Sequence, residues 1–97
     1  MPKRVIAVAP ERHILRLLEV NLEKHGYEVK TALDCQETLA QIQLDLPDAV
    51  VLDMSLPFRD SVDLLQMLRK NPTTRELPVF MLSSAVKGTY PFRGWSS

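Results

Sequence analysis

The chain has 97 residues, 45% of them apolar and 25% charged, with acids and bases in equal number. That balance fits one globular domain near the small end of what can bury its own core, and excludes a disordered chain. Basic residues are scattered among acids, as in Glu11-Arg12 and Glu23-Lys24, so no stripe exists to track nucleic-acid phosphates.

The start, Met1-Pro2-Lys3-Arg4, carries a basic pair before only a short apolar stretch, which is too brief for a signal peptide or a membrane span. A cytoplasmic location without membrane or nucleic-acid partners is expected. Residues 4–8 then form a β-branched run that reads as a first strand. Pro10 occupies the place where the first position of a helix tolerates proline, and Glu11 suits the positive end of that helix. The helix predicted to follow buries Ile14, Leu15, Leu18 and Leu22, with Leu17 widening the stripe, while Arg12, Arg16, Glu19 and Glu23 form the opposite face. Gly26 stops it.

Tyr27 to Thr31 alternates as a second strand, and Gln36 to Leu44 is amphipathic, with Leu39, Ile42 and Leu44 facing inward and Asp34 as cap. Leu46-Pro47-Asp48 ends this helix. Ala49 to Asp53 is an apolar run that delivers a carboxylate to the carboxyl end of a third strand, where open α/β sheets build their sites. A loop through Pro57 and Arg59 leads to a third helix, capped by Asp60 or Ser61, whose Val62, Leu64, Leu65 and Leu68 face the sheet. Asn71-Pro72 ends it. Pro78 admits a fourth strand, Val79 to Leu82, followed by Ser83-Ser84, and residues 85–97 show no periodicity.

The order β-α-β-α-β-α-β implies an α/β fold with a parallel sheet, right-handed crossovers and helices on both faces. The three glycines are isolated, which argues against a dinucleotide- or mononucleotide-binding loop. Cys35 is the one cysteine, so disulfide and zinc readings fall away and a packed or solvent-facing thiol is expected. His13 and His25 read as surface residues. Asp60 and Asp63 read as a cap and a dipole partner rather than an acid/base pair.

Over about residues 4 to 85 the chain resembles the response-regulator receiver domain of two-component signalling. The resemblance is carried by Arg4-Val5-Ile6-Ala7-Val8, by Gly26-Tyr27-Glu28-Val29, and by Pro47-Asp48-Ala49-Val50-Val51-Leu52-Asp53. Leu56-Pro57, Asp60 and Leu77-Pro78-Val79-Phe80-Met81-Leu82-Ser83-Ser84 add to it. It implies a flavodoxin-like, three-layer α/β/α architecture with four strands in the order 2-1-3-4 and three helices. Residues 1–85 would form the receiver-like domain and 86–97 an irregular tail.

The resemblance also implies phosphoryl transfer from a histidine kinase to Asp53. That chemistry requires the charge on the transferring group to be neutralised, which the family does with Mg²⁺, a lysine and a hydroxyl. Asp53 matches the phosphoacceptor, the backbone carbonyl of Ser55 a metal ligand, and Ser83 the switch hydroxyl. The acidic pair of the family falls on Ala9 and Pro10, neither of which has a side-chain oxygen. Mg²⁺ wants near-octahedral oxygen ligation, so a site of Asp53 and one carbonyl should hold it weakly, with Glu11 reaching it only through water. The family lysine would lie on a fifth strand; Lys87 is too near Ser83 for that role, and Tyr90-Pro91-Phe92 has tyrosine where the family has lysine. No resident cofactor is expected.

Asp53 can therefore be read as an inherited carboxylate, hydrogen-bonded by Ser83, Ser84 or loop amides, in a non-enzymatic interaction module. It can also be read as a working phosphoacceptor. A hydrolase using Asp53 with Ser83 is a third reading, without a base or a phosphate loop to support it. A complete receiver has a fifth strand and two further helices, so here the apolar fourth strand is expected at an edge and an apolar patch is expected beside the first helix. Self-association follows, most simply as a dimer, by edge pairing, helix packing or exchange of the tail, with Phe92 and Trp95 able to cover part of the patch.

Overall fold

In the computed structural model, which describes residues 2–53 and 58–82, seven elements alternate: β1 (Arg4–Val8), α1 (Arg12–Lys24), β2 (Glu28–Ala32), α2 (Cys35–Leu44), β3 (Ala49–Asp53), α3 (Phe58–Lys70) and β4 (Val79–Leu82). The strands form one parallel sheet in the order β2-β1-β3-β4. This is the flavodoxin-like order. The expected elements and strand order are all present. Registers run Val5 to Val29 and to Ala49, Val8 to Leu52, and Asp53 to Leu82.

Period-two alternation divides the strand side chains between two cores. Ile6, Val8, Val50, Leu52, Val79 and Met81 meet Ile42 of α2 and Leu64, Leu65 and Leu68 of α3 on one face. On the other face, Ala7 and Ala9 meet Leu15 and Leu18 of α1, with Ile14, Leu22, Val29, Leu33 and Leu82 at the margin. Among the described residues one face thus has two helices and the other has one, and α1 packs over β2 and β1.

Local signals explain most helix ends. At α1, the Tyr27 N–H donates to Leu22 O at 3.2 Å and the Gly26 N–H to Glu23 O at 3.0 Å, closing a Schellman motif. Gly26 has φ of +89°, a conformation that side chains with a Cβ resist. At α2, the Asp34 carboxylate accepts the Glu37 N–H at 2.8 Å, and Glu37 Oε1 accepts the Leu33 N–H at 2.6 Å, tying down both sides of the turn.

Several sequence expectations are corrected. Helix α1 starts at Arg12 with Glu11 as N-cap residue and no side-chain cap bond, so Pro10 precedes the helix rather than opening it. Leu17 is 60% exposed and Leu44 87%, because the sheet offers each helix only one narrow contact strip. Buried Thr38 takes an inward place on α2, its hydroxyl donating to Asp34 O at 2.8 Å. Helix α3 begins at Phe58, which puts Asp60 and Ser61 inside its first turn; Ser61 is buried instead of capping, and its hydroxyl has no hydrogen-bond partner among the described residues.

Candidate functional site

Asp53 ends β3 fully buried, as the apolar run before it demands: Val50, Val51 and Leu52 hold the strand in the sheet centre between β1 and β4. The Asp53 backbone is in register with Leu82 on one side. On the other, Val8 pairs with Leu52, so the next residue of β1, Ala9, flanks Asp53. Ala9 is itself fully buried, and its N–H donates to Ala32 O at 3.2 Å, which extends the ladder past Val8. A methyl group therefore occupies the sheet position beside the carboxylate.

Pro10 and Glu11 lie exposed beyond it. Glu11 Oε1 stands 3.5 Å from Nδ1 of His13, a neighbour in its own turn, and His13 is an exposed surface residue as expected. His25 is exposed too, its Nδ1 meeting Asn21 O at 2.8 Å. Ser55, Ser83, Ser84, Lys87 and the Tyr90-Pro91-Phe92 segment lie outside the described residues. Among the described residues there is no group of three or more His, Cys, Asp or Glu side chains able to hold a metal ion. Beside Asp53, Ala9 presents carbon, whereas Mg²⁺ seeks oxygen ligands.

Two features near this end of the sheet were not legible in the sequence. Cys35, at the start of α2, donates its thiol to Asp60 O at 3.0 Å and packs against the α2–α3 core, joining the first turns of both helices. Burial first, then the negative charges of Asp60, Asp34 and Asp63, pushes its thiol pKa up. This favours the protonated, unreactive form. The second feature is a cleft of about 380 Å³ between α1 and the turn after β2, with Arg12 and Arg16 on one wall and Glu37 on the other. Its charges are largely engaged: Arg16 pairs with Glu19 at 2.9 Å, and Glu37 holds the Leu33 N–H.

Residues 5–94 match the family model of the response regulator receiver domain. The chain belongs to that family. It is a receiver domain of two-component signalling, and its parallel sheet in the order β2-β1-β3-β4 is that of CheY-type receivers. The alkaline phosphatase synthesis transcriptional regulatory protein PhoP of Bacillus subtilis is 37% identical over 84 residues, which is 87% of this chain and 34% of that protein. The response regulator PleD of Caulobacter vibrioides is also 37% identical over 84 residues, 87% of this chain and 18% of that protein. The receiver thus spans about a third or less of these two relatives.

Among solved structures, a putative response regulator from Chloroflexus aurantiacus superposes with a TM-score of 0.77 at 36% identity, covering 84% of this chain and 66% of that one. The chemotaxis response regulator CheY4 of Vibrio cholerae gives 0.76 at 27% identity, covering 84% and 68%. Receiver domains are signalling modules, and in this one no helix among the described residues is long and apolar enough to cross a membrane.

Proposed function

We propose that this receiver acts as a protein-interaction module in phosphorelay signalling and is not phosphorylated by the usual Mg²⁺-dependent route. The observation that carries this is the buried methyl of Ala9 in the sheet position beside Asp53, where the family places carboxylates. Phosphoryl transfer to an aspartate brings two anions together and needs a cation between them. With one described carboxylate at the site, that cation is held weakly. Asp53 then serves as a buried carboxylate that organises the carboxyl end of the sheet. The module works in the cytoplasm without catalytic activity of its own, and its partners are a histidine kinase or another signalling protein and a second copy of itself.

Self-association is assigned to the edge of the sheet. Among the described residues β4 pairs with β3, and Val79, Phe80, Met81 and Leu82 form an apolar strand of the kind that associates with a second chain. A twofold pairing of β4 with β4 would make a dimer.

Incubation with acetyl phosphate or beryllofluoride and Mg²⁺, followed by intact-mass measurement, tests the reading, with Asp53→Asn as control. No phosphoryl adduct is expected. A stoichiometric adduct on Asp53 that is absent from the control rejects the reading and makes the chain a working phosphoacceptor.

A further inference from the structure

The main-chain groups of β2 point alternately toward β1 and away from it. The Glu28 N–H donates to Lys3 O at 2.9 Å and Ala32 O accepts the Ala9 N–H at 3.2 Å. Glu28, Lys30 and Ala32 therefore bond to β1, and Val29 and Thr31 turn their N–H and C=O groups to the outer edge of the sheet. Native proteins blunt such edges, and this one is blunted only in part. Gln41 Nε2 of α2 donates to Thr31 O at 2.7 Å, the Leu33 N–H to Glu37 Oε1 at 2.6 Å, and the Tyr27 N–H to Leu22 O at 3.2 Å. Among the described residues, the Val29 N–H and C=O, the Thr31 N–H and the Tyr27 C=O are left without a hydrogen-bond partner.

We propose that the outer edge of β2 is an interface for a second copy of this chain, paired antiparallel about a twofold axis at Val29. The open groups complement one another in that register. The two Val29 residues exchange N–H···O bonds, and each Thr31 N–H meets the carbonyl of Tyr27 of the second copy, so that every open group on both edges is used. The engaged groups also face each other, Thr31 O against the Tyr27 N–H of the second copy, and nothing has to be released for the strands to meet. A centre at Thr31 would instead aim Thr31 N–H groups at carbonyls that Gln41 already holds. The side chains select the same register. Glu28 and Lys30 are exposed, share one face of β2 and have no ion-pair partner among the described residues. With the axis at Val29, each Glu28 stands opposite Lys30 of the second copy in a pair without main-chain hydrogen bonds, where cross-strand side chains are nearest. Moving the axis to Glu28 or to Lys30 sets like charges opposite each other. The β4 edge proposed for self-association lies at the other end of the strand order, so the two pairings do not compete.

Sedimentation equilibrium of the full chain, from micromolar to millimolar concentration, tests the pairing. Val29→Pro removes the central donor on both copies, and an edge strand tolerates proline where its N–H faces outward, so the variant is expected to keep its far-UV dichroism. The parent should outweigh it at the upper concentrations. If β4 pairs as well, the parent passes the dimer and Val29→Pro stops there; if β4 does not, the parent reaches the dimer and Val29→Pro stays monomeric, which separates the two edges. Glu28→Lys and Lys30→Glu, each alone, oppose like charges twice in the pair and are expected to weaken the β2 association about tenfold. The double variant rebuilds both pairs with their signs exchanged and should restore it. Both residues are exposed, so this charge series decides the matter should Val29→Pro fail to fold. The proposal is overturned if the parent and folded Val29→Pro sediment alike, or if the double variant associates no better than either single one. The phosphorylation reading is tested separately by adduct mass, so the failure of one leaves the other standing.

Discussion

Putting a carboxylate back beside Asp53 should make the stability of the chain depend on Mg²⁺. Ala9 and Asp53 lie on neighbouring strands and on the same face, since β1 and β3 run in register from Val5–Ala49 to Val8–Leu52. Neighbouring strands are about 4.8 Å apart, so the carboxylates of Ala9→Asp and Asp53 would sit about 5 Å from each other. At an effective dielectric of about 20, two like charges at that distance repel by about 3 kcal/mol. Both positions are fully buried, so solvent relieves little of this. For a domain whose total stability is about 5–15 kcal/mol, that is a large loss. Urea unfolding of Ala9→Asp, alone and with Pro10→Asp, is expected to show a midpoint well below that of the parent chain in chelator. Magnesium binding only the native state restores stability as RT ln(1 + [Mg²⁺]/Kd), about 2.7 kcal/mol at a hundredfold excess over Kd. The parent chain should show no such gain. If the parent midpoint rises with Mg²⁺ as much as that of the variant, the claim that Ala9 disables the metal site is wrong.

Three further predictions concern the frame around the site. Asp34→Ala removes the cap of α2 and should lower stability by about 1 kcal/mol, and Gly26→Ala, at φ of +89°, by about 1–2 kcal/mol, both read from urea midpoints at constant m-value. Leu64→Ala, at a fully buried position, should lose about 2–5 kcal/mol, whereas Leu44→Ala, 87% exposed, should stay within about 0.5 kcal/mol; equal losses would refute the division of the helix faces. Cys35 makes stability fall at alkaline pH. Its thiol is neutral when protonated and its pKa is raised in the folded state, so its contribution is whole below the ordinary thiol pKa of about 8.5 and is lost as pH rises through the folded value. Cys35→Ala should therefore flatten the decline in the urea midpoint above that pH, while an unchanged slope would show that Cys35 is not its source.

Much of the frame could be read from residue pattern because it is local or periodic. Asp34 three residues before Glu37, Gly26 after the last periodic leucine, and the apolar runs of β1, β3 and β4 each state a structural need that side-chain chemistry alone can express. What could not be read depends on partners distant in the chain. Leu17 and Leu44 belong to apolar stripes by spacing, yet they are exposed, because the width of the buried strip is set by the sheet beneath each helix. Asp60 and Ser61 have the chemistry of capping residues, but the helix starts before them, and the place of Ser61 is decided by its burial. The thiol of Cys35 meets Asp60 across 25 positions, and no local motif announces such a contact. Asp53 was legible as a strand-end carboxylate from the run before it. That Ala9 is its neighbour follows from the register of the strands, which the resemblance implied and the sheet displays.

The register also links the site to the open face. Alternation along β3 sends Val50 and Leu52 toward α2 and α3, which places Asp53 on the other face together with Ala49 and Val51. The carboxylate and the apolar cleft thus share one side of one strand, with Leu82 paired to Asp53 and lining the cleft. Whatever covers Val51 and Leu82 therefore helps to set how dry the surroundings of Asp53 are, and the charge on Asp53 in turn influences what can settle there. A dry cover strengthens every electrostatic interaction of the carboxylate and raises the energy of leaving that charge uncompensated. Coupling of this kind is reciprocal: if what covers the face changes the affinity of Asp53 for a cation, loading Asp53 must change the covering by the same factor. With Ala9 beside it, Asp53 is still connected to the apolar face through the packing of a single strand.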